Sequence, residues 1–172
     1  MDEDRERWNR KYEDRETPGS PIDALGSHVH LARPGRALDL ACGLGRHALF
    51  LAEQGFEVDA VDISDVALSR INHPRIRTGL TDLDHYHINP ACYDLIVNAW
   101  FLNRRLWPDI LAGLKSGGVL IFQTALMENC HVGNPAFKLR PGELLTGFEG
   151  LEVYYHQEAE GIATLVAVRV SI

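Results

Sequence analysis

Two carboxylates and two glycines between positions 39 and 62 are the residues best placed to do chemistry. Asp39 precedes Gly43 by four residues, Gly45 follows, and Asp62 ends the next apolar run. Glycine lets the backbone turn sharply and approach a ligand closely. A carboxylate at the end of such a strand can accept both hydroxyls of a ribose. The pattern therefore indicates a site for a nucleotide-type cofactor.

The charge at position 39 separates two kinds of cofactor. Gly43-x-Gly45-x-x-Ala48 also fits the dinucleotide fingerprint, which is a weak signal on its own. The Asp39 carboxylate would repel a pyrophosphate and attract an α-ammonium group. This favours S-adenosylmethionine, a nucleoside with a cationic amino-acid tail and no phosphate. The alternative is that Asp39 only caps the following helix or turn.

The elements that must position these residues form a strand–helix–strand unit. We predict a strand over residues 37–41, a helix over 46–54 and a second strand over 57–61. Ser64 is a good N-cap for a helix over 65–71. The glycine turn and Asp62 then lie at the same edge of a sheet, where ligands of such folds bind.

The rest of the chain continues the alternation of strands and helices. We predict strands over 75–79, 93–98 and 119–124, and a helix that starts at Trp107-Pro108 and closes over 114–118. Strands over 151–156 and 164–170, separated by 157–163, form a final hairpin.

Asp39-Leu40-Ala41-Cys42-Gly43-Leu44-Gly45-Arg46 together with Val61-Asp62-Ile63-Ser64 resembles motifs I and II of class I S-adenosylmethionine-dependent methyltransferases. The chain is most similar to the small bacterial tellurite-resistance and thiopurine methyltransferase group, from Trp8 to its end. The resemblance implies an α/β fold: one Rossmann-like, doubly wound domain over 1–172. Its seven-stranded sheet is mostly parallel with an antiparallel last strand. Residues 1–20 would form a helix that closes over the cofactor as a lid.

The resemblance also implies which residues bind S-adenosylmethionine and release S-adenosylhomocysteine. Asp82 is the candidate for the adenine amine, and Asp84 is the alternative if the register slips by two. The implied cofactor-binding residues are Asp39, Ala41, Cys42, Gly43, Gly45, Arg46, Asp62, Ile63, Asp82, Leu83, Asn98, Ala99 and Trp100.

The methyl acceptor is expected to meet aromatic and basic side chains. The candidates are Trp8, Tyr12, Phe101, Arg104, Phe137, Lys138 and Arg140. His131, on the loop over 125–139, is the candidate general base for an oxygen or nitrogen acceptor. In the tellurite-resistance protein a His-Arg pair near the last strand is thought to contact the acceptor. Residues 160–164 have neither residue type.

Composition excludes several other classes of protein. The 172 residues carry a net charge of −7, which argues against a nucleic-acid partner. No apolar run has the length of a membrane span. Cysteines at 42, 92 and 130 have neither disulfide nor metal spacing, which suits the cytoplasm. His85 and His87 have no third ligand at a suitable spacing, so no metal is expected.

Two hypotheses follow from the sequence. The first is a methyltransferase for a small molecule such as a thiol, a chalcogen oxyanion or another soft nucleophile. The second is a non-catalytic S-adenosylmethionine-binding protein that serves as a sensor or assembly component. A nicotinamide dehydrogenase would need a substrate domain, for which we expect no remaining residues among the 172.

Overall fold

Seven strands form one sheet in the order β3-β2-β1-β4-β5-β7-β6, in a computed structural model that describes residues 2–127 and 134–170. The strands are β1 (Arg36–Leu40), β2 (Glu57–Asp62), β3 (Ile76–Leu80), β4 (Tyr93–Ala99), β5 (Leu114–Ala125), β6 (Glu152–Ala159) and β7 (Ile162–Val168). Neighbours from β3 to β5 pair in parallel, whereas β7 is antiparallel to both β5 and β6. The predicted fold class is confirmed.

Helices lie against both faces of this sheet. They are α1 (Asp2–Glu13), α2 (Asp23–His28), α3 (Arg46–Glu53), α4 (Asp65–Ser69), α5 (Trp107–Gly113) and α6 (Glu143–Gly147). One core packs Leu38 and Phe122 against Phe148, and the other packs Ala37 and Leu51 around α2 and α3. Because both faces are covered, the central strands are buried on both sides, which explains their continuous apolar runs.

The strand–helix–strand unit that carries the motifs forms as predicted, within one or two residues at each boundary. Gly45, with a φ of 86°, is the N-cap of α3. The Ser64 Oγ accepts a hydrogen bond from the backbone N of Ala67 at 3.1 Å, so Ser64 is the N-cap of α4 as predicted. These two caps fix where α3 and α4 leave the ligand-binding edge of the sheet.

The final hairpin differs from the prediction. Residues 157–163 were expected to form its connection, but the turn consists of Glu160 and Gly161 alone, with φ values of 54° and 74°. The expectation was wrong because β6 is an edge strand with most side chains exposed, and it lacks an apolar–polar alternation.

The start of β5 also differs from the prediction. Residues 114–118 were expected to close α5, but α5 ends at Gly113 and β5 begins at Leu114. The register between β4 and β5 shifts here, because Tyr93 pairs with Leu114 but Leu95 pairs with Val119. Gly117, which has a φ of 78°, lies in the extra length of β5. The Gly-Gly pair is therefore part of a bulged strand.

Candidate active site

A cavity of about 640 Å³ opens at the carboxyl ends of β1, β2 and β4. The strand order reverses between β1 and β4 at this point, which is where doubly wound sheets bind ligands. Most of the predicted cofactor and acceptor residues line it: Trp8, Tyr12, Ala41, Cys42, Gly43, Arg46, Asp62, Ile63, Asp82, Leu83, Ala99, Trp100, Phe101 and Phe137.

Asp62 connects the glycine turn to the start of α4. Its Oδ2 accepts a hydrogen bond from the Gly43 backbone N at 2.9 Å, and its Oδ1 accepts one from the Ser64 backbone N at 2.9 Å. Burial raises the pKa of this carboxyl, although the backbone donors oppose the shift. The contacts fix the Asp62 carboxylate at the cavity wall, where hydroxyl groups of a ligand can reach its remaining lone pairs.

Two residues at this edge have strained backbones. Ala41 follows β1 with a φ of 54°, and Trp100 follows β4 with a φ of 55°. Side chains at positive φ cost about 1–3 kcal/mol and cluster at functional sites. Both residues line the cavity, so the strain lies at the ends of the two strands between which the sheet order reverses.

Asp39 lies behind the cavity wall. It is 1% exposed, and its Oδ2 accepts a hydrogen bond from the Ala48 backbone N at 3.1 Å, in the first turn of α3. Burial raises the pKa of Asp39 to about 8, and the nearby Asp62 adds to the increase. This contact is the one expected of the helix-capping alternative. A role toward the cofactor stays a prediction.

Both candidates for the adenine amine lie at the cavity. The Asp82 Oδ1 accepts a hydrogen bond from the Asp84 backbone N at 3.0 Å, and the Asp84 Oδ1 accepts one from the Asn103 Nδ2 at 2.7 Å. Each carboxylate is therefore held by one neighbour while it lines the cavity. The choice between Asp82 and Asp84 stays open.

Several predicted residues are not brought to the cavity wall. They are Asp39, Gly45, Asn98, Arg104, Lys138 and Arg140, while His131 lies outside the described residues. The Asn98 Nδ2 donates to the Phe101 backbone O at 2.7 Å and so shapes the turn after β4.

Arg104 is hydrogen-bonded to two neighbours in the folded chain. Its Nη2 donates to Glu143 Oε1 at 2.9 Å and to the Lys138 backbone O at 3.1 Å. The hydrogen-bonded guanidinium lowers the pKa of the Glu143 carboxyl. Residues 160–164 do not line the main cavity either, and several of them border a second cavity of about 360 Å³.

The helix α1 covers the glycine turn. The rings of Trp8 and Tyr12 stack at 5.9 Å and line the cavity. A Cβ placed on Gly43 would lie 2.8 Å from the Tyr12 Oη, so the tyrosine touches the turn directly. Burial raises the pKa of Tyr12 to about 12. The hydroxyl thus stays neutral over the turn.

Polar contacts attach α1 to α4 and to the residue that follows it. Asp65 Oδ1 accepts hydrogen bonds from Arg5 Nε at 3.1 Å and from Asn9 Nδ2 at 2.8 Å. At the other end of α1, the Arg70 guanidinium donates to the Tyr12 O at 2.6 Å and the Glu13 O at 3.1 Å. No residue of α1 is fully buried, so these polar contacts act together with the half-buried Trp8 and Tyr12 to hold the helix in place.

His47 and Thr124 are among the lining residues that the sequence analysis missed; the others are Asp4, Arg7, Lys11, Arg15, Pro18, Leu44, Leu102 and Asn103. Thr124 lies at the carboxyl end of β5, and this position was a usable signal because neighbouring parallel strands end at the same edge. The His47 Nε2 accepts a hydrogen bond from the Ile22 backbone N at 3.2 Å. Burial lowers the pKa of His47 to about 4, so this imidazole is neutral at pH 7.

We expect His47 to make the fold acid-sensitive. Between pH 6.5 and about 4 the unfolded chain binds a proton at this histidine and the folded chain does not, so stability falls as the pH falls through this window. The expected loss of unfolding free energy is about 3 kcal/mol. Urea denaturation of the wild type and His47→Gln at several pH values checks this. In His47→Gln the unfolding free energy should depend much less on pH in this window. Parallel plots of unfolding free energy against pH for the two proteins would contradict this role of His47.

The described residues contain neither a membrane-spanning helix nor a metal cluster. No helix within 2–127 and 134–170 is long and apolar enough to cross a membrane. Within the same ranges, no group of three or more His, Cys, Asp or Glu side chains is arranged to hold a metal ion. His87 Nδ1 lies 3.3 Å from Asp109 Oδ2 at the surface.

The strand order, the glycine turn after β1 and the acid at the end of β2 define the Rossmann-like fold of class I methyltransferases. Within that class, the chain belongs to the tellurite resistance protein TehB family, whose model matches residues 2–163.

The chain is also similar to individual proteins over part of their length. The chain is 31% identical over 154 residues to hemagglutinin 1 of Eikenella corrodens, covering 81% of this chain and 51% of that protein. It is 30% identical over 117 residues to the probable S-adenosyl-L-methionine-dependent methyltransferase TehB of Haemophilus influenzae. That match covers 63% of this chain and 39% of that protein. The chain thus spans about half or less of these relatives. The crystal structure of TehB from Haemophilus influenzae superimposes with a TM-score of 0.76 at 23% identity, covering 97% of this chain and 67% of that one.

Proposed function

We propose that this chain is an S-adenosylmethionine-dependent methyltransferase that acts on a small molecule. The observation that supports this most is the Asp62 carboxylate, which holds the Gly43 N–H at 2.9 Å in the wall of the cavity between β1 and β4. A turn held in this way can take the amino-acid part of the cofactor on one side, and the carboxylate can take its ribose. Family membership supports the same function.

Different parts of the cavity would hold different parts of the cofactor. Asp62 would accept the ribose hydroxyls, and Asp82 or Asp84 would accept the adenine amine. The glycine turn, Arg46 and the Asp39 charge behind it would hold the amino-acid tail. The bound cofactor supplies an activated methyl group, while the chain's residues bind it, align it and exclude water.

The acceptor is proposed to be a soft nucleophile such as a thiolate or a chalcogen anion. His47 is the one histidine among the described cavity-lining residues, its Nε2 already accepts the Ile22 N–H, and burial lowers its pKa to about 4. The described wall therefore offers no histidine as a general base. A nucleophile that is already anionic needs no base, and alignment with the methyl group then supplies much of the rate enhancement.

We propose that residues 1–172 act as one domain in which α1 is a lid. The contact of Tyr12 with Gly43 and the stacking of Trp8 on Tyr12 support this role. A lid that covers the methyl group would keep water from the reaction.

We expect Asp62→Asn to bind S-adenosylhomocysteine about 10- to 100-fold more weakly than the wild type, since charged hydrogen bonds contribute about 1.5–3 kcal/mol. Isothermal titration calorimetry measures the change. Asp59→Asn is the matched control, because Asp59 lies on the same strand but accepts from Arg36 Nη2 and Tyr93 Oη at 2.7 Å and does not line the cavity. The control should keep its affinity.

Two results would change the proposal. Unchanged affinity in Asp62→Asn, or a melting temperature raised by a nicotinamide dinucleotide, would contradict the cofactor assignment. A protein that binds S-adenosylmethionine saturably but methylates no thiol, oxyanion or phenol in a panel would be a non-catalytic binding protein.

A further inference from the structure

The side-chain amide of Asn9 joins α1 to the first residues of α4. Its Oδ1 accepts a hydrogen bond from the Ser64 Oγ at 2.6 Å, and its Nδ2 donates to Asp65 Oδ1 at 2.8 Å. The acceptor and the donor of one amide are therefore both used, on two consecutive residues of the chain. This pairing fixes where α1 lies along the start of α4.

Ser64 is a buried connection between Asn9 and Asp62. The residue is 0% exposed, and its hydroxyl can donate one hydrogen bond, which goes to Asn9. Its backbone N donates to Asp62 Oδ1 at 2.9 Å. If α1 moves away, the hydroxyl loses its acceptor, and the residue that orients the Asp62 carboxylate loses the partner that holds it in place.

The second donor to the Asp62 carboxylate also lies beneath α1. The Gly43 backbone N donates to Asp62 Oδ2 at 2.9 Å. Tyr12 lies three residues after Asn9, on the same face of the helix, and a Cβ on Gly43 would be 2.8 Å from its Oη. Both backbone donors that orient the carboxylate therefore belong to residues that α1 contacts.

Attachment of α1 to the domain does not by itself require the contact with Ser64. Arg5 Nε already donates to Asp65 Oδ1 at 3.1 Å, and Arg70 donates to backbone oxygens at the C-terminal end of α1. These contacts are exposed and do not include Ser64. Among the described residues of α1, Asn9 alone has a side-chain hydrogen bond to Ser64. The two kinds of contact can therefore be separated by mutation.

We propose that Asn9 is a positioning residue for cofactor binding. Through Ser64 it holds the Asp62 carboxylate in the orientation that accepts the ribose hydroxyls, so that closure of α1 and binding of the ribose favour each other. This inference rests on the proposed function, in which Asp62 accepts those hydroxyls. The coupling is reciprocal, since each event raises the probability of the other. Asn9 does not line the cavity, so it acts through Ser64 and not on the ligand itself.

Two ligands separate this role from simple attachment of the helix: S-adenosylhomocysteine and its 2′,3′-dideoxy analogue, which lacks both ribose hydroxyls. Calorimetry should show that the wild type binds S-adenosylhomocysteine about 10- to 100-fold more tightly than the analogue. In Asn9→Ala this ratio of affinities should fall about fivefold, which corresponds to the loss of one neutral hydrogen bond. A helix that was merely loosened would weaken both ligands alike and leave the ratio unchanged.

Arg5→Ala is the matched control, because Arg5 lies on the same helix and donates to the same Asp65 oxygen, but does not contact Ser64. It should weaken the two ligands by the same factor and keep the ratio. Ser64→Ala tests the route, because it removes the hydroxyl that donates to Asn9. Adding Asn9→Ala to Ser64→Ala should lower the ratio no further, since both changes remove the same hydrogen bond.

The outcomes distinguish this proposal from the one on which it rests. An unchanged ratio in Asn9→Ala, an equal fall in Arg5→Ala, or a further fall in the double variant overturns the role of Asn9 and leaves the cofactor assignment standing. If the wild type binds the two ligands equally, or binds neither, the assignment of Asp62 to the ribose fails, and the role of Asn9 fails with it.

Discussion

Replacing Asp39 by asparagine is expected to stabilise the unliganded protein at alkaline pH while weakening its binding of S-adenosylmethionine. Burial raises the pKa of Asp39 to about 8, far above that of an unfolded aspartate. Between about pH 4 and 8 the folded chain therefore binds the extra proton, so this group makes the fold less stable as the pH rises. Asparagine has no charge to desolvate, and its amide oxygen can still accept the Ala48 N–H.

The stability effect should grow with pH and reach about 5 kcal/mol near pH 8.5, which corresponds to about 10–20 °C in the melting temperature of a chain of this size. Thermal melts of wild type and Asp39→Asn at several pH values measure it. Asp109→Asn is the matched control, because the Asp109 carboxylate also accepts a backbone N–H, from Ile88 at 3.2 Å, but does not line the cavity. If the melting temperature changed with pH equally in wild type and Asp39→Asn, the expected effect would be contradicted.

The binding effect should have the opposite sign. The α-ammonium group favours an ionised Asp39, so we expect the wild type to release up to one proton per cofactor bound at pH 7. Asp39→Asn should release none and bind about tenfold more weakly. Calorimetry in two buffers of different ionisation enthalpy measures the proton release. Unchanged affinity and no proton release in either protein would leave Asp39 with the helix-capping role alone.

A methyl group at position 43 is expected to abolish most cofactor binding. Gly43 has a φ of 56°, and a Cβ there would lie 2.8 Å from the Tyr12 Oη, inside the cavity wall. Gly43→Ala should therefore cost about 1–2 kcal/mol in stability because of its backbone conformation. It should also lower the affinity for S-adenosylhomocysteine at least 100-fold, because the backbone can no longer approach the ligand. Calorimetry and urea denaturation measure the two effects.

Gly45→Ala separates backbone strain from loss of space. Gly45 has a φ of 86°, and its added Cβ would meet the flexible end of Ile71 instead of the cavity. We expect a similar loss of stability in the two variants but a much smaller loss of affinity in Gly45→Ala. Equal losses of affinity would show that the conformation of the turn, and not the space at Gly43, determines binding.

The centre of the fold could be predicted because its residues act locally. Gly43 and Gly45 require a turn, Ser64 caps the next helix, and strands covered on both faces are apolar throughout. The edge of the sheet could not be predicted in the same way. In β6 the side chains of Val153, Tyr154 and Tyr155 are all exposed, so the sequence carries no sign of which face is buried.

For the candidate site, local sequence predicts the position of a residue best where the motif itself forms the cavity wall. Asp62 and Gly43 lie next to each other because the motif itself forms the turn. Arg104 could not be assigned from local sequence, because its partner Glu143 is 39 residues away and only the folded chain brings them together. His47 was missed for a related reason: its partner Ile22 lies 25 residues earlier, before the first strand.

The attachment of α1 has a consequence for how quickly ligands leave. Arg5 and Asp65, which tie α1 to α4, have side chains 41% and 48% exposed, and no residue of α1 is buried. Exposed charges of this kind are screened as ionic strength rises, whereas the buried apolar sheet is not weakened in that way. If α1 acts as the proposed lid, we therefore expect the residence time of a molecule under it to shorten as ionic strength rises, without any change in the stability of the sheet.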